Sequence, residues 1–226
     1  MLKPATLEFL SQLKDNNNRD WFTEQKPAYQ AAKANVEEVV TLIIGGLVTH
    51  EPEFANLEAK KSIFRIFRDT RFSNNKAPYK PNMGAWMARG GRKSPFAGYY
   101  LHIEPGGNSF LAGGVYRPES KILKAIREGI DYDADSLREI IGSTSFKKQF
   151  GDLGGSKVKT SPRGYAKDHP AIDLLRHKDF LMNRNLKDVE LSADDFVEKA
   201  LKVFADMVPL NNYLNLSVRE AVEADI

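Results

Sequence analysis

A chain of 226 residues, 42% of them hydrophobic, is long enough to bury one sizeable core. Its formal net charge of +3 falls far short of the excess carried by a dedicated nucleic-acid binder. The absence of cysteine excludes a disulfide framework, a thiol nucleophile and a thiolate metal site, and it suits a reducing compartment, so a cytoplasmic protein is expected. The opening MLKPATLEFL lacks the apolar core of a signal peptide, and the best apolar run, Val39 to Val48, is too short to span a bilayer; no membrane association is expected.

In chain order, Thr6 reads as a helix cap before Leu7, Leu10 and Leu13 at helical spacing, closed by Asp15-Asn16-Asn17-Asn18. After Arg19 and Asp20, Trp21 reads as an aromatic anchor between helices, and a long helix is predicted through Tyr29, Val36, Val40, Ile43 and Leu47. From Ser62 to Val115 the helical period gives way to short β-branched and aromatic segments punctuated by glycine and proline. Strands are predicted near Ser62 to Arg68, Gly84 to Ala88, Gly98 to Glu104 and Ser109 to Val115, the last two joined through Pro105-Gly106-Gly107-Asn108. On the third strand Tyr99, Leu101 and Ile103 point one way and Tyr100, His102 and Glu104 point to the wetter face.

Further on, a helix carries Ile122, Ile126 and Ile130, another Leu137 and Ile140, and a short one Phe146 and Phe150, ending at Gly151. Lys157 to Lys167 is a basic loop, Asp168 is read as the cap of a helix through Leu174 and Leu175, and Phe180 to Leu186 as a late strand. Ser192 is read as opening a helix with Phe196, Phe204 and Met207, which Pro209 breaks before a last short helix. The fold class is α+β: a single domain over residues 1–226, with an antiparallel sheet from the central region packed by helices from both chain ends.

The stretch SIFRIFRDTRFSNNKAPYK sets Arg65, Arg68, Arg71, Lys76 and Lys80 against one acid, Asp69. Because Ile63, Phe64, Ile66, Phe67 and Phe72 are threaded among these cations, some guanidinium groups are expected close to buried surface, where each needs an acceptor. The candidates are an outside anion and internal carboxylates, with Glu104 as one internal counter-ion. The four histidines lie in different elements with no metal-ligand spacing, no GxSxG is present, and neither the Arg89-Gly90-Gly91-Arg92-Lys93 turn nor Gly113-Gly114 carries a phosphate-loop pattern, so no metal and no cofactor is called for.

The motif RIFRDTRFSNNKAPYK resembles the hallmark of the bacterial and fungal family domain of unknown function 2461, as do FLSQLKDNNNRDWF, GYYLHIEPGGNSFLAGGVYRPES and HPAIDLLRHKDF. The resemblance covers nearly the whole chain and implies no activity; it places Arg65, Arg68, Asp69, Arg71, Phe72, Lys76, Tyr79 and Lys80 at the family's motif positions. Three readings of the cations stand side by side. In one, Arg65, Arg68, Arg71, Lys76 and Lys80, with Asp69 orienting the arginines, Tyr79 and Tyr100 giving hydroxyls and Arg117 and Arg163 adding charge, bind a small phosphorylated or carboxylated anion, turned over or not. In the second they track a nucleic-acid backbone together with Arg89, Arg92, Lys93 and the Lys157 to Lys167 loop. In the third, Asp69, Glu104 and backbone carbonyls answer the arginines internally. The oligomeric state is not written in the residues.

Overall fold

The computed structural model of the chain describes residues 1–223. Helix α1 (Pro4–Asp15) begins on proline, whose fixed φ suits the first turn and whose missing N–H costs nothing there. Thr6 is not its cap: it lies buried inside the helix and donates its hydroxyl to Asn35 Oδ1 (2.9 Å), which also accepts the Lys3 N–H (2.8 Å). Asn18 caps α2 (Arg19–Glu24) by accepting the Trp21 N–H, and Trp21 stacks on Phe9 of α1 (6.0 Å), the anchor its position predicts. The long helix α3 (Lys26–Leu47) turns Val36, Val40, Ile43 and Leu47 inward at helical spacing. A 3-10 turn (Pro52–Asn56) and the one-turn helix α4 (Ala59–Ser62) follow.

The sheet comprises β1 (Met83–Ala88), β2 (Gly98–Ile103), β3 (Ser109–Val115) and β4 (Phe180–Leu186), antiparallel and in the order β1-β2-β3-β4. Between β3 and β4 lie α5 (Ser120–Tyr132), α6 (Ala134–Gly142), α7 (Thr144–Phe150) and α8 (Ile172–Leu175); α9 (Asp188–Leu191) and α10 (Phe196–Glu223) complete the α+β fold. Among the described residues, no helix is long and apolar enough to cross a membrane.

Four further expectations need correction. Ser62 to Arg68 is not a strand: it makes only the isolated bridges Ile63 to Ala85 and Phe67 to Tyr79. Its buried apolar residues, Ile63 and Ile66, are three apart and not two, and Pro78, in the segment opposite, has no N–H for a ladder. Asp168 does not cap α8; the ring of His169 accepts the Ala171 N–H at the helix start (3.1 Å). Ser192 follows α9 as its C-cap, and α10 opens only at Phe196. Pro209 does not break α10, which continues through it to Glu223. Proline in a helix interior costs about 3 kcal/mol, and the face carrying Val203, Phe204, Met207, Leu210, Leu214 and Val218, all buried, returns more than that at about 1.5–3 kcal/mol per fully buried large apolar side chain.

The chain divides into two compact units, each drawn from separate stretches of sequence. The first holds Met1–Met87, Tyr100–Leu111 and Asn185–Lys202; the second holds Ala88–Tyr99, Ala112–Arg184 and, among the described residues, 203–223. In the first, α1 and α3 pack together, and the Leu2 N–H donates to the Leu191 carbonyl (3.0 Å). In the second, Tyr99 meets Phe204 edge-on (5.2 Å), and Tyr213 donates its hydroxyl to the Asp133 carbonyl at the end of α5 (2.8 Å).

Gly113-Gly114 is a close-packing device. Gly114 has φ +111°, and a Cβ there would collide with the carbonyl oxygen of Phe180. Gly114→Ala is therefore expected to cost about 3 kcal/mol or more, since neither the backbone angle nor the opposing backbone can yield, and urea unfolding monitored by circular dichroism measures it.

Candidate functional site

The basic stretch forms an arched hairpin fixed at its base within the first unit. Arg68 N–H donates to the Pro78 carbonyl (2.9 Å) and Lys80 N–H to the Ile66 carbonyl (2.8 Å), which closes a loop from Phe67 to Tyr79. Asn17 grips that base: its amide donates to the Tyr79 carbonyl and its oxygen accepts the Tyr79 N–H, both at 3.0 Å, in the pattern a neighbouring strand would supply. The Tyr79 ring, 6% exposed, stacks face to face on Phe22 at 3.9 Å, with Phe67 leaning on both.

Above this base the cations fold the loop on itself. Arg68 Nη1 donates to the Ala77 carbonyl (3.0 Å), Lys76 Nζ to the Thr70 carbonyl (3.1 Å) and Lys80 Nζ to the Arg65 carbonyl (2.9 Å). Arg71 grips Asp69 through two nitrogens (3.0 and 2.7 Å). These hydrogen bonds from the Arg71 side chain and N–H hold the Asp69 carboxyl below the usual carboxylate range, helped by the charge of Arg65. The pair is open to solvent and adds little stability. Of the arginines, Arg68 is half-buried while Arg65 and Arg71 are exposed. The interleaved aromatics are exposed, Phe64 at 39%, Phe67 at 49% and Phe72 at 95%, because Ile63, Ile66 and Tyr79 alone anchor the segment and the rest arches outward.

Beside the hairpin runs a polar row of which the sequence marks only Tyr100 as a candidate site residue. On β2 and just beyond it, Tyr100 Oη lies 3.0 Å from His102 Nδ1, and His102 Nε2 lies 3.1 Å from Glu104 Oε2. An ionised carboxylate only accepts, so Nε2 carries the proton and Nδ1 accepts the tyrosine hydroxyl. Glu104 thus answers His102 and is not the counter-ion of the arginines. Phe110 stacks on the imidazole (4.6 Å), and Gly84 of β1 leaves the space in which the Tyr100 hydroxyl sits, since a Cβ there would strike it. Burial first, and then the charge of Glu104, push the Tyr100 hydroxyl up to about 12. Phe64 joins row to hairpin: its ring lies 6.2 Å from Tyr100 and 5.8 Å from Lys80 Nζ, and its N–H donates to the Gly84 carbonyl (2.9 Å). The strand period that places Tyr100, His102 and Glu104 on one face was the signal that could have found the row.

A family described as "Conserved hypothetical protein (DUF2461)" matches residues 5–213. The chain belongs to this family. No curated protein and no solved structure matches it. The DUF2461 description carries no activity, so the chemistry of the family's chain here rests on its own geometry; the match takes in Asn17, the whole hairpin and the polar row.

Within this DUF2461 chain, two other places suited to an anion are already filled from inside. Gly106 and Gly107, both left-handed, donate consecutive N–H groups to the carboxylate of Asp188 (2.8 and 3.0 Å). In the second unit, Asp179 accepts the N–H of Arg117 (2.6 Å), and the N–H and hydroxyl of Ser156. It thereby holds Arg117 at φ +48° with the guanidinium 5.1 Å from the Tyr116 ring. Arg163 is exposed in the Lys157 to Lys167 loop, whose start is pinned by Arg176 through the carbonyls of Val158 and Lys159 (both 2.8 Å).

Two measurements test these placements. Asn17→Ala leaves the N–H and C=O of Tyr79 without their partner and should cost about 2 kcal/mol, with faster hydrogen exchange confined to the hairpin. Burial alone would raise the Asp179 carboxyl, but the hydrogen bonds from Ser156 and Arg117 outweigh it and hold the carboxyl below its usual value. The stability it contributes is therefore present above the unfolded value of about 3.9 and lost as pH falls through the lower folded one. Asp179→Asn should flatten that acid limb of the melting-temperature profile.

Proposed function

We propose that this is a cytoplasmic protein whose basic hairpin binds a small phosphorylated or carboxylated anion. The observation that carries the reading is the mismatch between donors and charge. The stretch sets five cations against one acid, and Arg68 and Lys76 donate to backbone carbonyls. A carbonyl satisfies a donor but cancels no charge, so mutual repulsion persists until an oxyanion neutralises it through charge-assisted hydrogen bonds. The internal filling of the Gly106-Gly107 turn and of the Arg117 N–H by Asp188 and Asp179 favours the hairpin as the place for an outside anion.

The exposed rings of Phe64 and Phe72 favour a second reading, single-stranded nucleic acid, because each offers a face on which a base stacks beside a cation, Lys80 and Arg71 respectively. Thermal-shift titration separates the two. Phosphate, sugar phosphates and dicarboxylates at about a hundredfold excess over the dissociation constant should stabilise the protein by about 2.7 kcal/mol, with a response that depends on anion shape. The double variant Arg65→Ala/Lys80→Ala should lose it. Affinity that grows with oligonucleotide length, falls steeply with salt and drops in Phe72→Ala would transfer the hairpin to nucleic acid. Arg68→Ala, which removes the hydrogen bonds of a half-buried side chain to the Ala77 carbonyl and the Ser73 hydroxyl, should cost only about 1–2 kcal/mol in the empty protein.

A further inference from the structure

We propose that Tyr100, His102 and Glu104 form a proton relay that activates water for hydrolysis of a phosphate ester held by the adjoining hairpin; this rests on the anion-binding reading above. The relay is ordered by hydrogen bonds along one strand face: Glu104 fixes the proton on His102 Nε2, which leaves Nδ1 as an acceptor 3.0 Å from Tyr100 Oη. That is the arrangement in which a carboxylate orients an imidazole and the imidazole draws a proton from a hydroxyl. Phe110 flat against the imidazole and the open Cα of Gly84 under the hydroxyl hold the row in place. Tyr100 stands at the end of the row nearest the cations, with Phe64 in contact with it and Lys80 beside Phe64.

The step balances without a further reagent. A water proton passes to Tyr100 Oη as the tyrosine proton passes to His102 Nδ1, and Glu104 steadies the imidazolium. The water oxygen bonds to phosphorus, the P–O ester bond breaks, and the departing oxygen keeps the bonding pair and takes a proton from solvent. His102 then returns its proton to solvent. Tyr100 is the catalytic residue, His102 the proton acceptor behind it, and Glu104 a positioning residue. The hydroxyl stays protonated at rest, with its pKa near 12, so water activation depends on His102 drawing the proton away as the bond forms.

The probes are p-nitrophenyl phosphate and bis(p-nitrophenyl) phosphate, with inorganic phosphate binding followed by thermal shift on the same samples. The full chain should release p-nitrophenolate from at least one probe. Tyr100→Phe and His102→Asn should lower kcat by at least about 100-fold at unchanged KM, Glu104→Gln by about 10-fold, and Lys80→Ala should raise KM with little change in kcat. If Tyr100→Phe does not fold, His102→Asn and Glu104→Gln carry the comparison. Absence of turnover with either probe, or a kcat unchanged in His102→Asn, overturns the relay. A phosphate shift that survives that outcome leaves the anion reading standing, whereas no shift in the unaltered chain removes both.

Discussion

The hairpin depends on the grip of Asn17 on Tyr79. The loop from Phe67 to Tyr79 carries three cations against one acid, and its own backbone pairing makes one bridge across its base. A half-buried side-chain amide that pairs with both backbone groups of Tyr79, over a ring stacked on Phe22, supplies the missing strand edge and an apolar seat together. The α1–α2 connection therefore does more than join two helices: it presents Asn17 and Phe22 to a segment about sixty residues later, and everything from Arg68 to Ala77 is displayed from that point.

Hydrogen bonding and charge are separable quantities, and the hairpin separates them. Donors answered by carbonyls avoid the desolvation penalty of an unpaired group while the electrostatic field of the cations remains. Elsewhere the molecule closes off the same opportunity, with Asp188 in the left-handed Gly106-Gly107 turn and Asp179 on Arg117. In both, a carboxylate does for the backbone what an outside anion does at an open site.

The polar row follows from the pleat of one strand. With Leu101 and Ile103 fully buried, the intervening residues must face away from that core, and alternation alone brings Tyr100, His102 and Glu104 into one line. The spacing along a strand face matches the reach of their side chains, so the hydrogen-bonded sequence of hydroxyl, imidazole and carboxylate arises with no special loop.

The α+β class, β2 to β4, the short helix ending at Gly151 and the basic motif were all legible in the residues, because period-2 and period-3.6 patterns and left-handed glycines are local properties. So was Trp21 as an anchor. What escaped reading from sequence were matters of which distant group answers which. Pro209 stays inside α10 because burial of the helix face outweighs a local preference. The interleaved phenylalanines point outward because anchoring at Ile63, Ile66 and Tyr79 lifts the rest away, and apolar identity alone does not say which residues a core has room for. The residues by themselves determined that a dense cationic motif exists and that Tyr100, His102 and Glu104 share a face. Tertiary structure alone decided that Asn17 holds the motif, that Glu104 pairs with His102, and that Arg68 and Lys76 donate to backbone carbonyls, because hydrogen-bond partners are set by packing and leave no periodic trace in the chain.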